Sequence, residues 1–155
     1  MNVTKEELQD YRAKTLDANH YAPGGVIAAL ISLSSGSKVC EVFSESGQEK
    51  WRLVALTDTG VLTVTGSLDT GNDWILRGSP VELEATLRPY GEVRSLHLTE
   101  LSMWSDPGQA WAWDFGLRLA FRDGTEVCAP SKGSPTHSQR DVLERMTVML
   151  RERLA

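Results

Sequence analysis

From position 111 to position 121 every second residue is large and apolar: Trp111, Trp113, Phe115, Leu117, Leu119 and Phe121. The residues between them, Ala112, Asp114, Gly116, Arg118 and Ala120, are small or charged, and this period of two predicts a β-strand with one apolar face. At ~3.4 Å per residue the run spans roughly 35 Å, about twice a usual strand, so part of the stripe is expected to lie outside the core. Gly116 is the position where a bend would cost least side-chain packing.

The rest of the chain divides by texture. Thr4 followed by Glu7 is a capping-box pattern that opens a helix expected to reach about residue 18, with a narrow apolar stripe of Leu8, Tyr11 and Leu16. The Pro23-Gly24-Gly25 break ends it. Residues 26–33 lack strand alternation and read as a short buried helix. From residue 38 the pattern changes to seven short strands separated by turn residues, at 38–44, 50–57, 61–66, 81–88, 93–101, 111–122 and 125–129. Val81, Leu83, Ala85 and Leu87 are expected inward, with Glu82, Glu84, Thr86 and Arg88 outward.

Two hairpins can be registered from their side-chain faces. A three-residue loop Arg122-Asp123-Gly124, with Gly124 at positive φ, sets Leu119 opposite Val127 and Leu117 opposite Ala129. The same logic at Asp58-Thr59-Gly60 sets Leu56 opposite Leu62 and Val54 opposite Val64. After the loop PSKGSPTHS, Ser138 with Asp141 is the expected cap of a last helix from 139 to about 154. Its apolar face is Val142, Met146, Met149 and Leu150, with Leu143 and Leu154 at the margin. The expected organisation is an N-terminal helical extension, residues 1–37, followed by a β domain with a C-terminal helix, residues 38–155.

Composition changes this picture little. A chain of 155 residues, 41% apolar and 24% charged, is one ordinary globular domain in size, and its formal charge of -5 argues against a general nucleic-acid or anionic-membrane binder while leaving room for a local basic patch. The polar, acidic start has no signal-peptide core, and the longest apolar run, 26–33, is too short for a bilayer, so a cytoplasmic location is expected. Cys40 and Cys128 match no metal spacing and are expected to be small buried thiols without a disulfide.

Seven hairpin-linked strands followed by one amphipathic helix, together with the run LVALTDTGVLTVTG, resemble the pleckstrin-homology (PH)-like superfold and its bacterial PH-like members. The resemblance covers residues 38–155. It implies a mainly β, α+β fold: a partly open seven-stranded barrel of two nearly orthogonal sheets, capped by the C-terminal helix. It also implies a ligand end built from the loops after the first, third and sixth strands. Phosphoinositide-binding members carry a basic motif whose spacing Lys38, Lys50 and Arg52 reproduce, implying an anionic-ligand or membrane-headgroup site. Glu41, Glu45 and Glu49 lie within that stretch and would repel a polyanion.

The candidate chemistry is sparse. His20, His97 and His137 have no metal-ligand spacing, and no HExxH, GxSxG, GxGxxG or Walker pattern occurs, so neither metal nor cofactor is expected. An enzyme would have to be assembled from loop residues such as His137 or Asp73. Aromatic clustering points elsewhere: Met103, Trp104, Trp111 and Trp113 crowd one segment, and Trp74 stands in a separate connection. Trp and Met supply large contact area where surfaces meet, so the leading expectation is a non-enzymatic module that binds a protein partner or its own copies through residues 103–113.

Overall fold

The computed structural model describes residues 3–15, 22–47, 50–68, 80–104, 108 and 112–155. It is an α+β chain with two antiparallel sheets, of four and three strands, rather than one continuous barrel. The chain forms two compact units, residues 1–88 and 89–155.

The first unit opens with α1, Lys5–Lys14, capped as the sequence predicts. The Thr4 N–H donates to Glu7 Oε2 at 2.8 Å and the Glu7 N–H to Thr4 Oγ1 at 3.1 Å. The helix ends at Lys14 rather than near residue 18, with the Thr15 hydroxyl and N–H both donating to the Tyr11 carbonyl; residues 16–18 lie outside the described residues. Helix α2, Gly24–Leu33, buries Val26, Ile27, Ala29 and Leu30, as an apolar run interrupted only at Ser32 requires. These side chains join Val39, Val42, Trp51, Leu53, Ala55, Leu62 and Val64 in one core. The stretch read as an extension therefore supplies part of the first unit's interior.

Strands β1 (Val39–Ser46), β2 (Lys50–Thr57), β3 (Gly60–Leu68) and β4 (Pro80–Pro89) form the first sheet in that order. Strand β2 is central and apolar on both sides: Trp51, Leu53 and Ala55 face the core, and Val54 and Leu56 are also buried. The β2–β3 register departs from expectation by one residue, with Leu56 opposite Val61, Ala55 opposite Leu62 and Leu53 opposite Val64. A side chain causes the shift. The fully buried Thr57 hydroxyl accepts from the Gly60 N–H (3.0 Å) and the Thr59 N–H (3.2 Å), closing a tighter loop and placing Gly60 in the strand rather than in the turn. In β4, Ala85 and Leu87 pack on the core but Leu83 is 45% exposed. Alternation sets the side a residue faces, not whether anything lies over it.

In the second unit a short 3-10 turn, Tyr90–Glu92, leads into β5 (Val93–Trp104), followed by β6 (Ala112–Phe121) and β7 (Glu126–Ala129), in the order β5-β6-β7. Here the predicted register holds: Leu117 opposes Ala129 and Leu119 opposes Val127. Gly124 sits at φ 88°, and Asp123 Oδ1 accepts from the Thr125 N–H at 2.9 Å. Helix α3, His137–Leu154, packs on β6 and on the 3-10 turn. Its cap is Thr136, whose N–H donates to Gln139 Oε1 at 2.9 Å, rather than Ser138. Leu143 lies at the centre of its buried face with Met146 and Leu150. Near its start Arg140 forms an ion pair with the largely buried Asp114 of β6. Near its end Arg153 lies 5.9 Å from the Tyr90 ring centre.

Candidate functional site: an apolar sheet face

The stripe on β6 changes character along its length. Leu117, Leu119 and Phe121 are buried to within 2% exposure, whereas Trp113 at the other end is 49% exposed. Its neighbour across the strand gap is Met103 of β5, 50% exposed. Two further half-exposed leucines, Leu98 and Leu101, stand on the same strand. Isolated exposed leucines are ordinary on protein surfaces; several large apolar side chains exposed on two paired strands are less so, and exposed apolar patches are often functional.

A bulge in β5 builds the set. Thr99 opposes Gly116 and Ser102 opposes Asp114, so Glu100 and Leu101 together stand against Phe115 alone. Glu100 takes φ 51°, the left-handed region that a residue with a Cβ enters at a cost of ~1 kcal/mol. The extra residue resets the period of two. Leu96 opposes Leu119 and Leu98 opposes Leu117; beyond the bulge Met103, odd rather than even in number, opposes Trp113 on that same apolar face. The expected bend at Gly116 is thus a bulge on the facing strand. Gly116 matters for another reason: a Cβ there would lie 2.7 Å from Thr99 Oγ1, so glycine lets β5 come close just before the bulge.

The opposite face of this sheet is polar. His97 is exposed and lies 2.8 Å from Ser95 Oγ through its Nε2. Arg118 stands between His97 and Cys128 in adjacent strands. Cys40 and Cys128 are free and partly exposed rather than buried. Of the remaining aromatic candidates, the Trp104 backbone pairs with Ala112, while Trp111 and Trp74 lie outside the described residues, as does the loop carboxylate candidate Asp73.

The basic residues do not converge. Lys38 precedes Val39, which pairs with Thr57, whereas Arg52 pairs with Glu45 near the other end of the same hairpin, about 17 Å along the strand. Arg52 is moreover neutralised by Glu45 at 3.1 Å, and Lys50 projects from the exposed start of β2. A cavity of about 270 Å³ in the first unit is lined by Val3, Glu7, Tyr11, Ile31 and the serines of the loop after α2. Its one carboxylate, Glu7, caps α1; hydrogen bonds from the Thr4 backbone and hydroxyl hold its pKa below the ordinary carboxylate value. Among the described residues no group of three or more His, Cys, Asp or Glu side chains could hold a metal, and no helix is long and apolar enough to cross a membrane.

Sequence periodicity located Met103 and Trp113 but missed Leu98 and Leu101 as surface residues. The available signal was the parity change along β5, from Leu96 and Leu98 to Leu101 and Met103. Compared with protein-family models, with curated proteins and with solved structures, the chain matches none.

Proposed function

We propose that the chain is a non-enzymatic interaction module of PH-like fold that binds a second copy of itself through the apolar face of β5 and β6. The PH-like reading is supported by element order: a four-stranded antiparallel sheet, then a three-stranded one, then a C-terminal helix. The functional reading is carried by one observation, the half-exposed cluster of Leu98, Leu101, Met103 and Trp113. Large apolar side chains left in water are stabilised by any contact that removes them from it, by about 25 cal/mol per Å² before the costs of association. An isologous contact needs a surface complementary to itself, and a set of Leu, Met and Trp meets that condition.

Sedimentation velocity over a hundredfold range of concentration tests the proposal. Wild type is expected to pass from monomer to dimer, and Met103→Ser/Trp113→Ser to remain monomeric with an unchanged circular dichroism spectrum. A wild-type chain that stays monomeric throughout, or a double variant that dimerises equally well, overturns it.

A further inference from the structure

Four methionines occur in the chain, and their surroundings differ. Among the described residues Met146 is 1% exposed in the buried face of α3, Met149 of the same helix is partly buried, and Met103 is 50% exposed. Met103 also stands in the apolar face through which self-association is proposed, opposite Trp113 and two residues from Leu101. Its strand is at an edge of the sheet, with β6 on one side and no described strand on the other. A thioether so placed is open to a small oxidant while the chain is alone, and covered when two copies meet through this face.

We infer that Met103 is an oxidation site whose modification by a peroxide turns self-association off. A lone pair of the Met103 thioether sulfur attacks one oxygen of hydrogen peroxide. The sulfur–oxygen bond forms as the oxygen–oxygen bond breaks, and the sulfur gives up two electrons to the peroxide. The departing hydroxide takes the proton left on the transferred oxygen and leaves as water. Leu98 and Leu101 share the apolar character of Met103 but offer a peroxide no such lone pair.

The product carries a polar sulfoxide where a soft apolar group stood. In a contact made of Leu, Met and Trp side chains the only side-chain donor is the indole N–H, so a buried sulfoxide loses its water with little to replace it. An isologous contact brings one Met103 from each copy, and each sulfoxide is expected to weaken dimerisation about tenfold. Association and oxidation are then reciprocal: the dimer shields Met103, and an oxidised copy releases a partner whose own Met103 becomes open to attack.

This switch rests on the self-association proposed above, and one experiment separates the two. Wild-type chain is treated with hydrogen peroxide until it carries on average about one added oxygen, and dithiothreitol then reverses any disulfide or sulfenic acid without touching methionine sulfoxide. Monomer and dimer fractions are separated by size and their peptides measured by mass spectrometry. Sulfoxide at Met103 is expected to be about tenfold enriched in the monomer fraction, with sulfoxide at the other methionines evenly divided. Methionine sulfoxide reductase is expected to return that fraction to dimer, and oxidation of Met103 is expected to slow as the concentration of untreated chain is raised. If Met103 sulfoxide is spread equally between the fractions, or Met103 is oxidised no faster than Met146, while Met103→Ser/Trp113→Ser still abolishes dimerisation, the switch is overturned and self-association stands. If untreated wild type is monomeric at every concentration, both fall.

Discussion

Replacing Gly116 with alanine probes the β5–β6 register at the step before the bulge that assembles the exposed face. A Cβ at this position would lie 2.7 Å from Thr99 Oγ1, well inside van der Waals contact, and 3.4 Å from the Ala129 carbonyl oxygen. Thr99 is β-branched and stiff at χ1, so turning the hydroxyl away from the new Cβ costs it its present rotamer. Overpacking of this kind costs ~1–3 kcal/mol, while loss of glycine's unfolded-state freedom returns ~0.4–1 kcal/mol. The expected net loss is about 1–2 kcal/mol in urea unfolding followed by circular dichroism. Thr99→Ala removes the clashing atom and leaves the Ala129 oxygen as the nearest neighbour. In that background Gly116→Ala is expected to be neutral or slightly stabilising, a coupling of about 1–2 kcal/mol. Distant pairs add to within ~0.3–0.5 kcal/mol, so additive effects would refute the pairing of Thr99 with Gly116, and with it the placement of the bulge.

Thr57→Val keeps the shape of the β2–β3 turn but leaves the buried Gly60 N–H without its acceptor. It is expected to cost about 1–3 kcal/mol, with Thr57→Ser nearer to wild type; equal midpoints for the two in urea would contradict the hydroxyl's role in setting the register. Glu7 is ionised more readily in the folded chain than in the unfolded one, because the Thr4 backbone N–H and then its hydroxyl hydrogen-bond with it. Its contribution to α1 is therefore present above the ordinary carboxylate pKa and is lost as pH falls through the lowered folded value. An NMR titration is expected to show the Glu7 carboxyl and the Thr4 amide moving together below the ordinary carboxylate value, and a Glu7 that titrates at or above that value would remove the capping box.

Where a backbone requirement shows itself in residue type, the sequence was legible. Gly124 supplies the positive φ of the β6–β7 turn, and the register of Leu117 and Leu119 follows from it. At the β2–β3 turn Asp58-Thr59-Gly60 carries the same surface signal, but a side chain, Thr57, closes the loop one residue earlier. The start of α3 offers two equivalent patterns, Thr136 with Gln139 and Ser138 with Asp141, and sequence spacing does not choose between them. The site was half legible. Met103 and Trp113 stand out by type, yet the bulge that brings them beside Leu98 turns on Glu100, which carries no glycine signature. Exposure itself, as at Leu83 and Leu98, depends on what lies over a face and has no period to read.

Trp113 is expected to leave water when two copies meet. Fluorine NMR of chain labelled with 5-fluorotryptophan tests it directly, with the Trp113 line assigned from Trp113→Phe. At low concentration that line is expected to show a clear solvent-isotope shift, whereas Trp51, fully buried, shows almost none. As concentration rises the Trp113 shift should shrink in step with dimer formation. A Trp113 line that keeps its full solvent shift at every concentration would show that self-association does not bury this side chain.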